Sequence, residues 1–144
     1  MELKIKKLCD EAKVPFYATE GSAGMDLSAC IREAVTVKPL ERVTLPTGIA
    51  VKLPEGTVGL VFARSGLAVK HGITLSNSVG VIDSDYTGEI KVGVVNLSDK
   101  PYAIQPGDRI AQLAVMPYFR CETEVSDNLE KTLRGSGGFG SSGR

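Results

Sequence analysis

The stretch from Val43 to Phe62 reads "VTLPTGIAVKLPEGTVGLVF". Apolar residues fall on alternate positions: Val43 and Leu45, then Ile49, Val51 and Leu53, then Val58, Leu60 and Phe62. A period of two, rich in β-branched residues, is the mark of half-buried strands. "LPTG" and "LPEG" punctuate the runs as turns. The same alternation continues outward in Val35 and Val37, and in Ile90, Val92 and Val94, with "KPLE", "SDKP" and "QPGD" as further turn signals. Many short strands with turns every eight to twelve residues predict an all-β sandwich, jelly roll or barrel. Strands do not alternate with long helical patterns, which argues against a βαβ architecture. One short helix is predicted in "RSGLAVKHG", with Ser65 as N-cap and Gly72 just past its end. The first dozen residues read equally well as helix or strand. The pattern fades from Cys121 and is gone after Leu133.

The chain has 144 residues, enough for one domain with its own core. Hydrophobic residues make up 42% and charged residues 24%, with a formal net charge of zero. Such a balance advertises no basic face for nucleic acid and leaves little repulsion between copies. The three cysteines, Cys9, Cys30 and Cys121, lie far apart in sequence and form no CxxC pair, and His71 is the only histidine. Zinc needs clustered Cys and His ligands, so a zinc site is not expected. The odd, sparse cysteine count fits a reducing compartment. The start "MELKIKKLCDEAKV" has no long apolar run, so neither a signal peptide nor a membrane span is expected, and the reading is cytoplasmic. The "NLS" sequon at Asn96 then carries no meaning.

Several local motifs suggest chemistry, and each also has a plain structural explanation. "GSGGFG" at Gly135–Gly140 fits the dinucleotide fingerprint, but only "SSGR" follows, where a helix is required. "DSDYTGEIKVGV" imitates a calcium loop, but Val94 stands where the bidentate glutamate belongs. Asp83 nonetheless follows the apolar run "VGVI", so its carboxylate ends a buried strand. Arg64 and Ser65 stand at a helix start, where backbone N–H groups and a forked guanidinium favour phosphate. Ser65 and His71 are close in sequence, but no nucleophile elbow accompanies them. Asp26 in "SAGMDLSA" reads alone as a turn residue; Arg109 and Gln112 in "QPGDRIAQLAV" read alone as surface residues.

Taken together, five stretches occur in order: "SAGMDLSA", "ARSGLA", "NSVGVIDSDYTGEI", "PGDRIAQL" and "RGSGGFGSSG". This set resembles the trimeric dUTP pyrophosphatase (dUTPase) family over nearly the whole chain. The resemblance implies a dUTPase-like β jelly roll, a distorted barrel, in a homotrimer. Residues 1–133 form the domain, and residues 134–144 form a flexible glycine-rich arm that closes over a neighbouring subunit's site. The implied reaction is Mg²⁺-assisted hydrolysis of dUTP to dUMP and pyrophosphate, which keeps uracil out of DNA and supplies dUMP for thymidylate synthesis. The three active sites are shared between subunits.

Residue by residue, the resemblance implies the following roles. Asp83 activates the attacking water, and Asp26 holds Mg²⁺, through water. Arg64, Ser65 and Gly66 bind phosphate, and Gln112 contacts the phosphate side. A hairpin from Asn77 to Lys91 receives uracil on Gly80, Val81 and Ile82, and Tyr86 packs under the deoxyribose to refuse a 2′-hydroxyl. In the arm, Arg134 reaches the γ-phosphate, Phe139 stacks on uracil, and Gly140 and Ser141 wrap the triphosphate. Met25, Ala63 and Thr87 depart from the residues usual in the family; none removes a proposed catalytic group. A dCTP deaminase relative of the same fold is disfavoured by Asn77, Asp83, Tyr86 and the arm. A zinc cytidine deaminase is excluded because His71 precedes "GI" and no H-x-E exists. A non-catalytic nucleotide-binding regulator would need neither Asp83 nor Asp26.

Overall fold

A computed structural model describes residues 1–138, and every strand pairing in it is antiparallel. In chain order the elements are β1 (Lys4–Lys7), β2 (Phe16–Tyr17), β3 (Met25–Ser28), β4 (Val35–Val37), β5 (Arg42–Lys52) and β6 (Thr57–Phe62). Then come α1 (Ser65–His71), β7 (Ile73–Leu75), β8 (Gly80–Ile82), β9 (Glu89–Asn96), β10 (Tyr102–Ile104) and β11 (Arg109–Pro117). They form a four-stranded sheet in the order β1-β5-β9-β7, a five-stranded sheet β2-β3-β11-β6-β8, and a small β10-β4 pair. The expected all-β architecture with one short helix is thus the observed one.

The core lies between the two large sheets. Leu27, Ala111 and Leu113 enter it from the five-stranded sheet; Leu45, Ile49, Val51, Ile90, Val92 and Val94 enter from the four-stranded one. Burying such side chains supplies roughly 1.5–3 kcal/mol each against the entropy of ordering the chain. Asn96 is wholly buried at the end of β9 (0% exposed). Its amide donates to the carbonyls of Val37 (2.9 Å) and Lys100 (2.7 Å), and its oxygen accepts from the Ser98 amide (2.9 Å). The sequon asparagine is therefore a joint between β9 and β4.

Three sequence expectations need correction. First, "LPTG" does not separate two strands: β5 runs through it, with a register shift between Pro46 and Ala50. A β-bulge there absorbs the turn residues and bends the strand without ending it. Second, β6 is read in the opposite phase. Thr57, Gly59 and Val61 face inward, whereas Val58, Leu60 and Phe62 stay half exposed. The inner side at Gly59 is crowded: a Cβ there would lie 3.1 Å from Ile82 Cβ and 3.2 Å from Leu113 Cδ1. Third, Ser65 is not the N-cap. Arg64 takes that position with extended backbone and no side-chain capping bond, and Ser65 opens the helix. Gly72 ends α1 with φ +68, as expected of a left-handed cap.

Candidate active site

The central carboxylate is placed by strand register. Gln112 on β11 lies directly opposite both Asp26 on β3 and Phe62 on β6. Residues directly opposite share one face of a sheet, so Asp26 and Gln112 both point away from the core. Two residues beyond Phe62, the chain reaches Arg64. Arg109 should by parity point the other way from Gln112, three positions later. The register shift between Arg109 and Ala111 pairs Arg109 with Ser28 and so returns it to the face of Asp26.

Both arginines converge on that carboxylate. Arg64 Nε lies 2.9 Å from Asp26 Oδ1, and Arg109 NH1 lies 2.9 Å from Oδ2. Arg64 NH1 also donates to the Arg109 carbonyl at 3.2 Å. Asp26 is only 8% exposed. Two guanidiniums on one carboxylate leave a local excess of positive charge and several unspent N–H donors, a surface that attracts phosphate oxygens. Gln112 is fixed by donation from Nε2 to the Ala63 carbonyl at 3.0 Å. That bond uses only the backbone of residue 63, which accounts for alanine being accepted there.

Beside this cluster lies a cavity of about 300 Å³ lined by Ser22, Gly24, Asp26, Arg64, Ser65 and Gln112 among others. Gly66 also lines it and has no atom within 4 Å of where its Cβ would stand. Its missing side chain therefore leaves room beside the helix start. At Gly24 a Cβ would come within 2.9 Å of Gln112 Oε1, so glycine is needed for the glutamine to lie where it does. Asp26, Arg64, Ser65, Gly66 and Gln112 are thus brought together.

The segment from Asn77 to Lys91 is elsewhere, and it is not a paired hairpin. β8 pairs only with β6, in the five-stranded sheet, while β9 pairs with β5 and β7 in the other. The chain crosses between sheets at residues 83–88, because the apolar sides of β8 and β9 serve different layers. Lys52 Nζ donates to the Ser84 carbonyl at 2.9 Å and steadies this crossing. Tyr86 donates its hydroxyl to the Glu89 carbonyl at 2.8 Å, and its ring lies against Gly88, where a Cβ would fall 2.7 Å from Tyr86 Cζ. Asn77 and Val81 are exposed, and Gly80 and Ile82 half buried. Gly80 packs on β6, where a Cβ would meet Val61 Cβ at 3.2 Å. Lys91 projects outward and lies 3.8 Å from Glu89.

Asp83 is exposed, and among the described residues its carboxylate has no hydrogen bond or ion pair. It borders a separate recess with Thr57, Val58, Val81 and Tyr118. The register pairs Ile82 with Gly59, so Asp83 falls beside Val58. Arg64 is six residues further along, about 20 Å at the rise of a strand. Within a single chain Asp83 therefore lies at the opposite end of β6 from the arginine cluster, whereas Gly80, opposite Val61, lies nearer to that cluster.

Of the arm, Arg134 donates through Nε to the Gly137 carbonyl at 2.7 Å, within a turn of its own. Phe139, Gly140 and Ser141 lie outside the described residues. Among the described residues, no group of three or more His, Cys, Asp or Glu side chains is placed to hold a metal, and no helix is long and apolar enough to cross a membrane. Arg109, read from the sequence alone as a surface residue, is the side chain that the structure adds to this cluster. Its signal was present in "PGDRIAQL", but the bulge that turns it onto Asp26 leaves no trace in local pattern.

Comparison with known proteins covers nearly the whole chain. The dUTPase family model matches residues 10–143. The chain is 50% identical over 143 residues to a deoxyuridine 5′-triphosphate nucleotidohydrolase of Hydrogenobaculum sp. (strain Y04AAS1), covering 99% of each. It is 52% identical over 132 residues to that of Desulfitobacterium hafniense (strain DSM 10664 / DCB-2), covering 91% of this chain and 87% of the relative. Among solved structures, a variant dUTPase of Staphylococcus bacteriophage 80alpha with dUpNHpp matches with a TM-score of 0.90 at 29% identity, covering 99% of each chain. A variant dUTPase of phage phi11, described with a structural Mg(II) ion, matches with a TM-score of 0.82 at 25% identity, covering 91% of this chain and 100% of that one.

Proposed function

The chain belongs to the dUTPase family, and from that premise we propose that it hydrolyses dUTP to dUMP and pyrophosphate at sites built jointly by three copies of itself. The observation that carries the mechanistic reading is the division along β6. Arg64, Asp26, Arg109 and Gln112 gather at one end, and Asp83 stands at the other, unpaired among the described residues. A second copy supplying its Asp83 strip to the first copy's arginine cluster would complete a site. Half-exposed Val58, Leu60 and Phe62, with exposed Val81 and Met116, give the five-stranded sheet an apolar outward face suited to such contact.

On this reading the triphosphate lies against Arg64, Ser65, Gly66 and Gln112, where guanidinium and backbone donors meet its oxygens. Asp83 accepts a proton from the water that attacks the α-phosphorus in line with the departing pyrophosphate. An exposed carboxylate, free of an arginine partner, keeps the lone pairs such a base needs. Uracil sits on the backbone of Gly80, Val81 and Ile82 with Asn77. Cytosine would leave buried groups unpaired, a mismatch that discriminates by about 10⁴ or more. Tyr86 underlies the deoxyribose. Residues 134–144 close over a neighbouring copy, with Arg134, Phe139, Gly140 and Ser141 toward the nucleotide.

The Asp26 carboxylate fits Mg²⁺ only at one remove. Each oxygen already accepts from an arginine, which opposes direct ligation, yet each keeps a lone pair for a metal-bound water. Bound with the triphosphate, Mg²⁺ would neutralise charge on the phosphate oxygens. The product dUMP is a thymidylate precursor, and removal of dUTP limits uracil entry into DNA, roles that belong in the cytoplasm.

Two measurements test this. With Mg²⁺ present, pyrophosphate release should be far faster from dUTP than from dCTP, dTTP or UTP; equal rates would refute the substrate assignment. An Arg64→Ala variant and an Asp83→Asn variant, each impaired alone, should regain about a quarter of full activity when unfolded, mixed equally and refolded together, the statistical share of interfaces that are intact in a ring of shared sites. No recovery in mixed oligomers would place each site within one chain.

A further inference from the structure

Cys9 and Cys30 are 21 positions apart, yet their sulfurs meet at 2.8 Å. Both are free thiols, and both are partly exposed. The contact is built by the β5 bulge. The Leu8 amide donates to the Gly48 carbonyl, and the Cys30 amide to the Pro46 carbonyl, each at 2.8 Å. The same three-residue stretch therefore ties down the backbone on both sides of the pair. Gly48 adopts φ +66, and a Cβ there would lie 2.9 Å from each sulfur and 2.8 Å from Ala12 Cβ. Its own amide donates to Glu89 Oε1 at 2.9 Å. Only glycine both takes that backbone conformation and leaves the sulfurs their space.

The pair opens onto a cavity of about 680 Å³, lined also by Glu11, Lys13, Arg32 and Gly107. We propose that Cys9 and Cys30 are a reactive dithiol that closes to an intramolecular disulfide when hydrogen peroxide enters this cavity. The hydrogen bond that the Cys30 thiol donates to Cys9, together with burial, pushes it up to about 11. Cys30 therefore holds its proton while Cys9 attacks. The Cys9 sulfur attacks one peroxide oxygen, the O–O bond breaks, and the departing oxygen leaves as water with the Cys9 proton. The Cys30 sulfur then attacks the resulting sulfenic acid. The S–S bond forms, and the hydroxyl of the sulfenic acid leaves as a second water with the Cys30 proton. Two thiols are oxidised by two electrons, and one peroxide is reduced to two waters.

The bond would close a loop from residue 9 to residue 30 that contains both β2 and β3, and it would sit four residues beyond Asp26. Oxidation is thus a clamp on the strand that holds the arginine cluster. A thiol pair with such access serves a regulatory or sensing role even where bulk disulfides are rare.

The test uses the full chain carrying Cys121→Ser, which removes the lone exposed thiol. After hydrogen peroxide, mass spectrometry should show loss of two hydrogens and a single cross-linked peptide joining Cys9 to Cys30, reversed by dithiothreitol. Thermal unfolding should move up by about 10 °C on oxidation, with no such shift when Cys30→Ser is added. Recovery of both cysteines as alkylated thiols or as separate sulfinic acids would overturn the proposal, as would cross-links between different molecules. A Cys9–Cys30 bond with an unchanged melting temperature would overturn the clamp.

Discussion

The two ends of β6 carry opposite kinds of polar residue. At one end Asp26 is nearly buried, and each of its oxygens is taken by an arginine. At the other end Asp83 is exposed and, among the described residues, unpartnered. A buried carboxylate must be paired to be tolerated. An exposed one needs no such partner. The first end is therefore a finished structure in a single chain. On the proposed reading, the second becomes a site only when another copy is placed over it.

Substitution should separate these roles. Asp83→Asn should lower turnover by about 10² or more, the usual range for a general base, while nucleotide binding persists. Its stability should stay within about 0.5 kcal/mol of the parent, because the side chain is exposed; a large loss in denaturant titration would mean that Asp83 is structural after all. Asp26→Ala should behave in the reverse order. It leaves two guanidiniums facing each other and should cost about 3 kcal/mol in stability, read as a lower urea midpoint. If Asp26→Ala unfolded like the parent, the arginines would be holding each other's place by other means. Arg109→Ala should be milder, because Arg64 remains on Asp26; a rise in KM of roughly tenfold, the worth of a charge-assisted contact, is expected. A change in kcat alone would instead tie Arg109 to the chemical step. Gly88→Ala should act on selectivity alone, with a fall of about tenfold in the preference for dUTP over UTP. Unaltered preference would detach Tyr86 from sugar selection.

Much of the fold was legible because alternation is a local property. Ile90, Val92 and Val94 announce a strand with one buried face, and the face is the one observed. The phase of β6 was not legible, because its more apolar side is the one turned outward. A rule that sends apolar residues inward fails on a strand whose larger apolar side chains stand on its outward positions. The break between β8 and β9 was hidden for a different reason. Which sheet a strand joins depends on distant partners, and nothing within residues 77–91 specifies them. The bulges at Pro46–Ala50 and at Arg109–Ala111 each shift a residue's face. One sets Gly48 against two thiols that look unrelated in sequence, and the other turns Arg109 onto Asp26. Individual site motifs were equally ambiguous; five of them in order were not.

On the proposed reading of Tyr86, Gly88 need not touch a nucleotide to influence which one is accepted. Tyr86 can lie flat only because residue 88 presents bare backbone beneath it, so one missing methyl group sets the height of the ring. Any side chain at 88 would tilt the aromatic floor and change the depth of the space above it. Discrimination between a deoxy sugar and its hydroxylated counterpart would then be encoded one layer below the contact surface. A search for altered selectivity confined to residues that meet the ligand would miss that position.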